Sequence, residues 1–147
     1  MFDGNVTYGV ADQLKRELRL QPAVRRLILN SGGGLTDEAS AAAIIIDNAQ
    51  IDTVVENSCE SACILMFLAG THRTLVPPGK LGFHRFVTLN PLAASGGIAS
   101  CDEYARYGVS TEFCRQVDTV VPPAMWYPTQ EELVAAHVIS APMPVTR

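Results

Sequence analysis

The sequence has no apolar run near the ~18–20 residues that a membrane-spanning helix requires. Its longest such stretch, "ILMFLAG" at 64–70, has the length of a buried helix segment. It also lacks an excess of cations, since 11 Lys and Arg stand against 15 Asp and Glu, a formal net charge of −4. Phosphate backbones are bound by clustered Lys and Arg, so no nucleic-acid partner is expected. The one local concentration, Lys15, Arg16, Arg19, Arg25 and Arg26, reads as a solvated face. The opening residues do not read as a signal peptide. "MFDGNVTYGV" begins as though inside a domain, so an upstream export segment is expected to be missing. The four cysteines, Cys59, Cys63, Cys101 and Cys114, are spaced C-x3-C and C-x12-C, which is not the C-x2-C of a zinc ribbon. The three histidines do not cluster near them, and no metal or organic cofactor is expected. There is no P-loop, because "GGGLTDE" carries no Lys-Ser/Thr, and no G-x-G-x-x-G dinucleotide pattern. The G-x-S-x-G elbow of many serine hydrolases is absent as well.

What is present suits one globular domain over residues 1–147, with 48% apolar residues and an ordinary charged fraction. "ADQLKRELRL" places Ala11, Leu14 and Leu18 at helical spacing. "VRRLILN" reads as a buried strand, "SGGGLTDE" as a glycine turn and "EASAAAIIIDNA" as a close-packing helix. "DTVVEN" is a second strand and "SACILMFLAG" a third helix. "HRTLVPPG" and "KLGFHRFV" supply two more strands, and "TLNPLAASGGIAS" reads as a surface loop. "DEYARYGVSTEFCRQVDTV" is helical with a possible break at Gly108. "VPPAMWYPT" is irregular, because three prolines deny it regular pairing. Thr129 with Glu132 forms a capping box at a closing helix. Strands alternating with helices predict an α/β fold: a mostly parallel sheet with covered faces that binds ligands at the carboxyl ends of its strands.

Two such ends carry unusual residues. Three consecutive glycines, Gly32 to Gly34, serve either as a plain flexible turn or as backbone N–H donors to an oxyanion. Ser61 stands where a strand yields to a helix, either as an N-cap or as a nucleophile presented at the sheet's end. The cysteines beside it suit a disulfide staple in an oxidising compartment, although a thiol nucleophile is a further reading. Three disulfide connectivities are open, one of them Cys59–Cys63 with Cys101–Cys114. His84, between Phe83 and Phe86, is either structural or a general base.

Taken together, "LILNSGGGLTDEASAAAIII" and "ESACILMFLAGTHRTLVPPGKLGFHR" resemble the proteolytic subunit of the Clp protease and its crotonase-fold relatives. The cysteines around the serine are similar to those of a bacterial Clp-protease-like group, often predicted to be exported or periplasmic. The resemblance covers roughly residues 3–140. It implies repeated β-β-α units and a serine peptidase that cleaves peptide bonds through an acyl-enzyme. It implies Ser61 as nucleophile, His84 as general base, and the N–H groups of Gly33 and Ala62 as the oxyanion hole. It also implies a peptide or protein substrate and a homo-oligomer, and leaves an unfoldase partner open. The acidic third member is expected near Ala124 or Met125, where no acid stands; Asp118 is the nearest upstream candidate. That departure keeps a second expectation alive, a catalytically impaired binding or assembly module on the same fold. Acyl-CoA chemistry, known among crotonase relatives, is a third.

Overall fold

The computed structural model of the protein describes residues 1–86 and 98–141. The chain runs β1 (Phe2–Asp3), α1 (Val10–Leu20), β2 (Arg26–Ser31), α2 (Thr36–Ala49), β3 (Asp52–Glu60) and α3 (Cys63–Leu68). It continues through β4 (Arg73–Leu75), β5 (Lys80–Gly82), α4 (Ile98–Arg106), α5 (Thr111–Asp118) and α6 (Gln130–Ala135). All the named strand pairings are parallel, and the fold is the expected α/β arrangement of a parallel sheet flanked by helices.

β3 is the strand on which the rest is organised. Its first half pairs β4, with Thr53 opposite Arg73 and Val55 opposite Leu75. Its second half pairs β5, with Ser58 opposite Lys80 and Glu60 opposite Gly82. On the other side β2 accompanies it along both halves, shifting register between Leu29 and Ser31. The long strand thus changes partner midway, which gives the sheet two tiers. α3 packs beneath them, its six residues all buried. α2 lies against α3 through its alanine face, where Ala39, Ala42 and Ala43 are buried. Small side chains let the two helices approach closely.

The elements depart from the sequence expectations at a few places, each with a local cause. β3 runs past Asn57 to Glu60, because its polar residues find partners on the outer face. The predicted long helix is divided as expected at Gly108, whose φ is +81°, and Ser110 caps α5 by accepting from the Phe113 N–H. The predicted loop 88–100 lies mostly outside the described residues, but its last three belong to α4. His84 is not within a strand; β5 ends at Gly82 and the chain turns to pair with the proline-rich segment instead. The capping box at Thr129 is formed in both directions.

Arg73 explains the "AG..R" part of the sequence pattern. Its guanidinium donates to the carbonyls of Leu68 (2.9 Å), Tyr107 (3.2 Å) and His137 (2.7 Å). One side chain therefore ties the end of α3 to the α4–α5 turn and the exit of α6. Arg73→Met leaves those carbonyls unpaired, and a charged hydrogen bond contributes about 1.5–3 kcal/mol. The expected loss of unfolding free energy is ~3 kcal/mol, read from denaturant midpoints at constant slope.

Candidate active site

Parallel neighbours end on the same side of a sheet, and β2 and β3 do so here. Ser31 is opposite Cys59. Two residues further along each chain come Gly33 and Ser61. Their approach is so close that a Cβ on Gly33 would lie 2.8 Å from Ser61 Cβ and 2.8 Å from the Glu60 carbonyl oxygen. Gly33 also has φ +97°, where side chains are strained. Glycine is thus required by geometry at position 33. Gly33→Ala is expected to cost ~2–3 kcal/mol of stability through backbone strain and displacement of the serine turn. Thermal unfolding checks this, and an unchanged Tm would show that the two turns are not coupled.

Ser61 is one of three non-glycine residues with positive φ among the described residues, at +54°. Its N–H donates to the Gly82 carbonyl at 3.0 Å, and its carbonyl accepts from Ile64 N–H at 3.0 Å. Ser61 is therefore not the N-cap; Ala62 holds that place, without a side-chain cap. Alternation along β3 would send residue 61 to the face where Cys59 is buried. The left-handed turn takes it off that course and leaves it half-exposed beside Gly33. Cys59 and Cys63 are joined in a disulfide across it, and both are 0% exposed. Cys101 and Cys114 form the second disulfide, between α4 and α5. None of the four is a free thiol, so a cysteine nucleophile is not available in this state.

The two expected oxyanion donors differ. The Ala62 N–H has no protein acceptor among the described residues. The Gly33 N–H donates to the buried Ser31 Oγ at 3.1 Å. A groove of about 530 Å³ runs along this turn, lined by Asn5, Tyr8, Gly33 and Leu35 among others. Tyr8 is 90% exposed and Leu35 49%.

His84 stands two residues beyond Gly82, which is paired to Glu60, so the fold brings it to the same end of the sheet as Ser61. Phe83, 1% exposed, anchors it from below. The Phe83 ring lies 5.0 Å from Phe113 and 6.4 Å from Tyr104, both edge to face. Its backbone exchanges two hydrogen bonds of 2.9 Å with Trp126. The imidazole is half-exposed, and its Nδ1 meets the Arg85 carbonyl oxygen at 2.6 Å. Among the described residues no hydrogen bond joins His84 to Ser61 Oγ or to Asp118. Asp118 closes α5 beside the second disulfide, its Oδ2 3.6 Å from Cys101 Sγ. Those two groups and Cys114 lie within 4.8 Å of one another, but disulfide sulfurs are not the thiolates that hold a metal.

A neighbouring cluster escaped the sequence reading. Glu60 accepts from Tyr127 Oη (2.8 Å) and Ser58 Oγ (3.0 Å), with Lys80 Nζ at 3.9 Å. The bond to Glu60 raises the Tyr127 phenol above its usual pKa. Lys80 also sits 4.5 Å above the Tyr127 ring. The cluster fastens the proline-rich segment over β5, where Gly82 leaves no room for a Cβ beside Glu60, Met125 and Tyr127. Alternation in β3 could have assigned Glu60 to this face, but not its partner 67 positions along the chain.

This parallel sheet flanked by helices is a ClpP-like fold. No family model matches the chain, and no curated protein does. Among solved structures, a point mutant of ClpP1 from Listeria monocytogenes superposes with a TM-score of 0.74 at 18% identity, over 94% of this chain and 86% of that one.

Proposed function

We propose that the protein is a serine peptidase-like hydrolase in which Ser61 attacks a peptide carbonyl. The observation that carries this reading is the left-handed Ser61 turn held against Gly33, with the Ala62 N–H beside it, which has no acceptor among the described residues. His84 Nε2 takes the Ser61 proton as Oγ bonds to the carbonyl carbon. The carbonyl oxygen becomes an oxyanion facing the Ala62 N–H and, once it is drawn from Ser31, the Gly33 N–H. Collapse breaks the C–N bond, and His84 returns the proton to the leaving amine. Water then releases the acyl group from Ser61 by the same steps in reverse. The two disulfides fit an exported, periplasmic setting. Among the described residues no helix is long and apolar enough to cross a membrane. The shared fold supports self-association into a ring or smaller oligomer.

A fluorophosphonate probe tests the nucleophile. Wild-type protein is expected to label stoichiometrically and Ser61→Ala not at all; equal labelling of the two removes Ser61 from this role. The second reading, a non-catalytic assembly module, is favoured because, among the described residues, no bond joins Ser61 to His84 and no acid bonds the imidazole. It predicts a folded, self-associating protein that neither labels nor hydrolyses peptides.

A further inference from the structure

We propose that the main-chain carbonyl of Arg85 fills the position of the triad acid, fixing the His84 imidazole for proton transfer. The proposal rests on the Ser61–His84 reading above. A carbonyl oxygen can only accept, so the 2.6 Å contact makes Nδ1 the protonated nitrogen of the neutral ring. Nε2 is then the lone-pair nitrogen, the one required to take a proton from a serine hydroxyl. Fixing this tautomer and the ring's rotation is what a buried aspartate does in a triad.

The main chain that leads to this carbonyl is anchored. The Arg85 N–H donates to the Val120 carbonyl at 2.9 Å. On the other side of His84, Phe83 is paired in both directions with Trp126 and buried among aromatic rings. The two peptides flanking the histidine are thus pinned to the 120–126 segment, so the ring and the residue that carries its acceptor start from a fixed main chain. That segment reads "VVPPAMW" and offers no carboxylate of its own. Glu60, at the end of β3, is engaged by Tyr127, Ser58 and Lys80.

A neutral acceptor orients the ring as a carboxylate does but stabilises the imidazolium less, because charge-assisted bonds are about twice as strong. The proton balance is unaffected. One proton moves from Ser61 Oγ to Nε2 and then to the leaving amine, while Nδ1 keeps its own throughout.

The test begins with long-range ¹H–¹⁵N correlation spectra of the histidine rings in the intact protein, with His84→Ala assigning the signal. The neutral His84 ring is expected to be mainly in the Nδ1–H form, although a free imidazole favours Nε2–H. A dominant Nε2–H form overturns the proposal, and it does so whether or not the protein hydrolyses anything. Fluorophosphonate labelling reports separately on the peptidase reading. A kinetic arm weakens the acceptor by replacing the peptide bond between residues 85 and 86 with an ester. kcat is expected to fall about tenfold with KM unchanged, the split that marks a group acting through the base. An unchanged kcat overturns the proposal. Asp118→Asn is expected to alter kcat by less than about threefold. A hundredfold loss, with unfolding midpoint retained, gives the orienting role to that carboxylate and likewise overturns it.

Discussion

His84→Ala is expected to lower kcat for peptide hydrolysis by about 10³-fold while leaving the unfolding free energy within ~0.5 kcal/mol of wild type. The two effects separate because of where the imidazole stands. It is half-exposed and bonds only its neighbour's carbonyl among the described residues. The packing at this point belongs to Phe83, which is buried against Tyr104, Phe113 and Trp126. Removing the imidazole therefore deletes a base without opening a cavity. The magnitude follows from general-base catalysis, which contributes about 10²–10⁴-fold. Serine attack without a base would retain only what the oxyanion donors supply. Steady-state kinetics with a quenched peptide and a denaturant melt decide the matter together. Hydrolysis unchanged in the variant would place the base elsewhere. A drop in turnover matched by a drop in stability would make His84 a structural residue.

The parts of this site that could be read from the sequence are those with a local physical signature. Three glycines in a row after a branched, apolar strand announce a backbone demand, and Gly33 shows what it is: room for Ser61 and Glu60. A serine between cysteines at a strand-to-helix change announces a presented side chain, which the +54° turn delivers. The helix break at Gly108 and the cap at Thr129 are equally local. What escaped is non-local. No pattern in "DTVVENSCE" tells that its first half faces β4 and its second half β5. β1 is two residues long, too short for any periodicity, and exists only because Gly4 N–H and its neighbours find β2. The Glu60–Tyr127 bond joins residues sixty-seven positions apart, so neither residue signals the other. His84 was expected on a strand because its neighbours are apolar and aromatic. Pairing with Trp126 satisfies those aromatics instead and lets the histidine follow the 120–126 segment.

Removing the two disulfides singly is expected to give crossed results, because they do different things. Cys59–Cys63 closes a loop spanning five residues and Cys101–Cys114 one of fourteen, from sequence separations of 4 and 13. In the chain-entropy account the first stabilises by ~2 kcal/mol and the second by ~3 kcal/mol. On stability alone, Cys101→Ala/Cys114→Ala is therefore the more damaging pair. On turnover the order reverses. The Cys59–Cys63 loop contains Ser61, whose left-handed backbone costs about 1–2 kcal/mol relative to the ordinary region. α3 is six residues long and begins without a side-chain cap, so its first turn relies on burial, on the Ser61 main-chain bonds to Gly82 and Ile64, and on this covalent link. Once the covalent link is gone, the strained serine can relax toward a right-handed conformation, leaving Gly33 and the oxyanion donors behind. A population shift of ~1.4 kcal/mol is a tenfold loss of competent enzyme. Cys59→Ala/Cys63→Ala is expected to lose about tenfold in kcat at a temperature where it remains folded, while the other pair keeps kcat within about twofold. The same asymmetry is expected toward reductant. Cys101 is half-exposed, whereas Cys59 and Cys63 are 0% exposed. Thiol counting under native conditions should therefore show two free thiols, from Cys101 and Cys114, before four. Equal turnover in both double variants would mean that the turn at Ser61 is held by packing and hydrogen bonds alone, and the bracing role of Cys59–Cys63 would be lost.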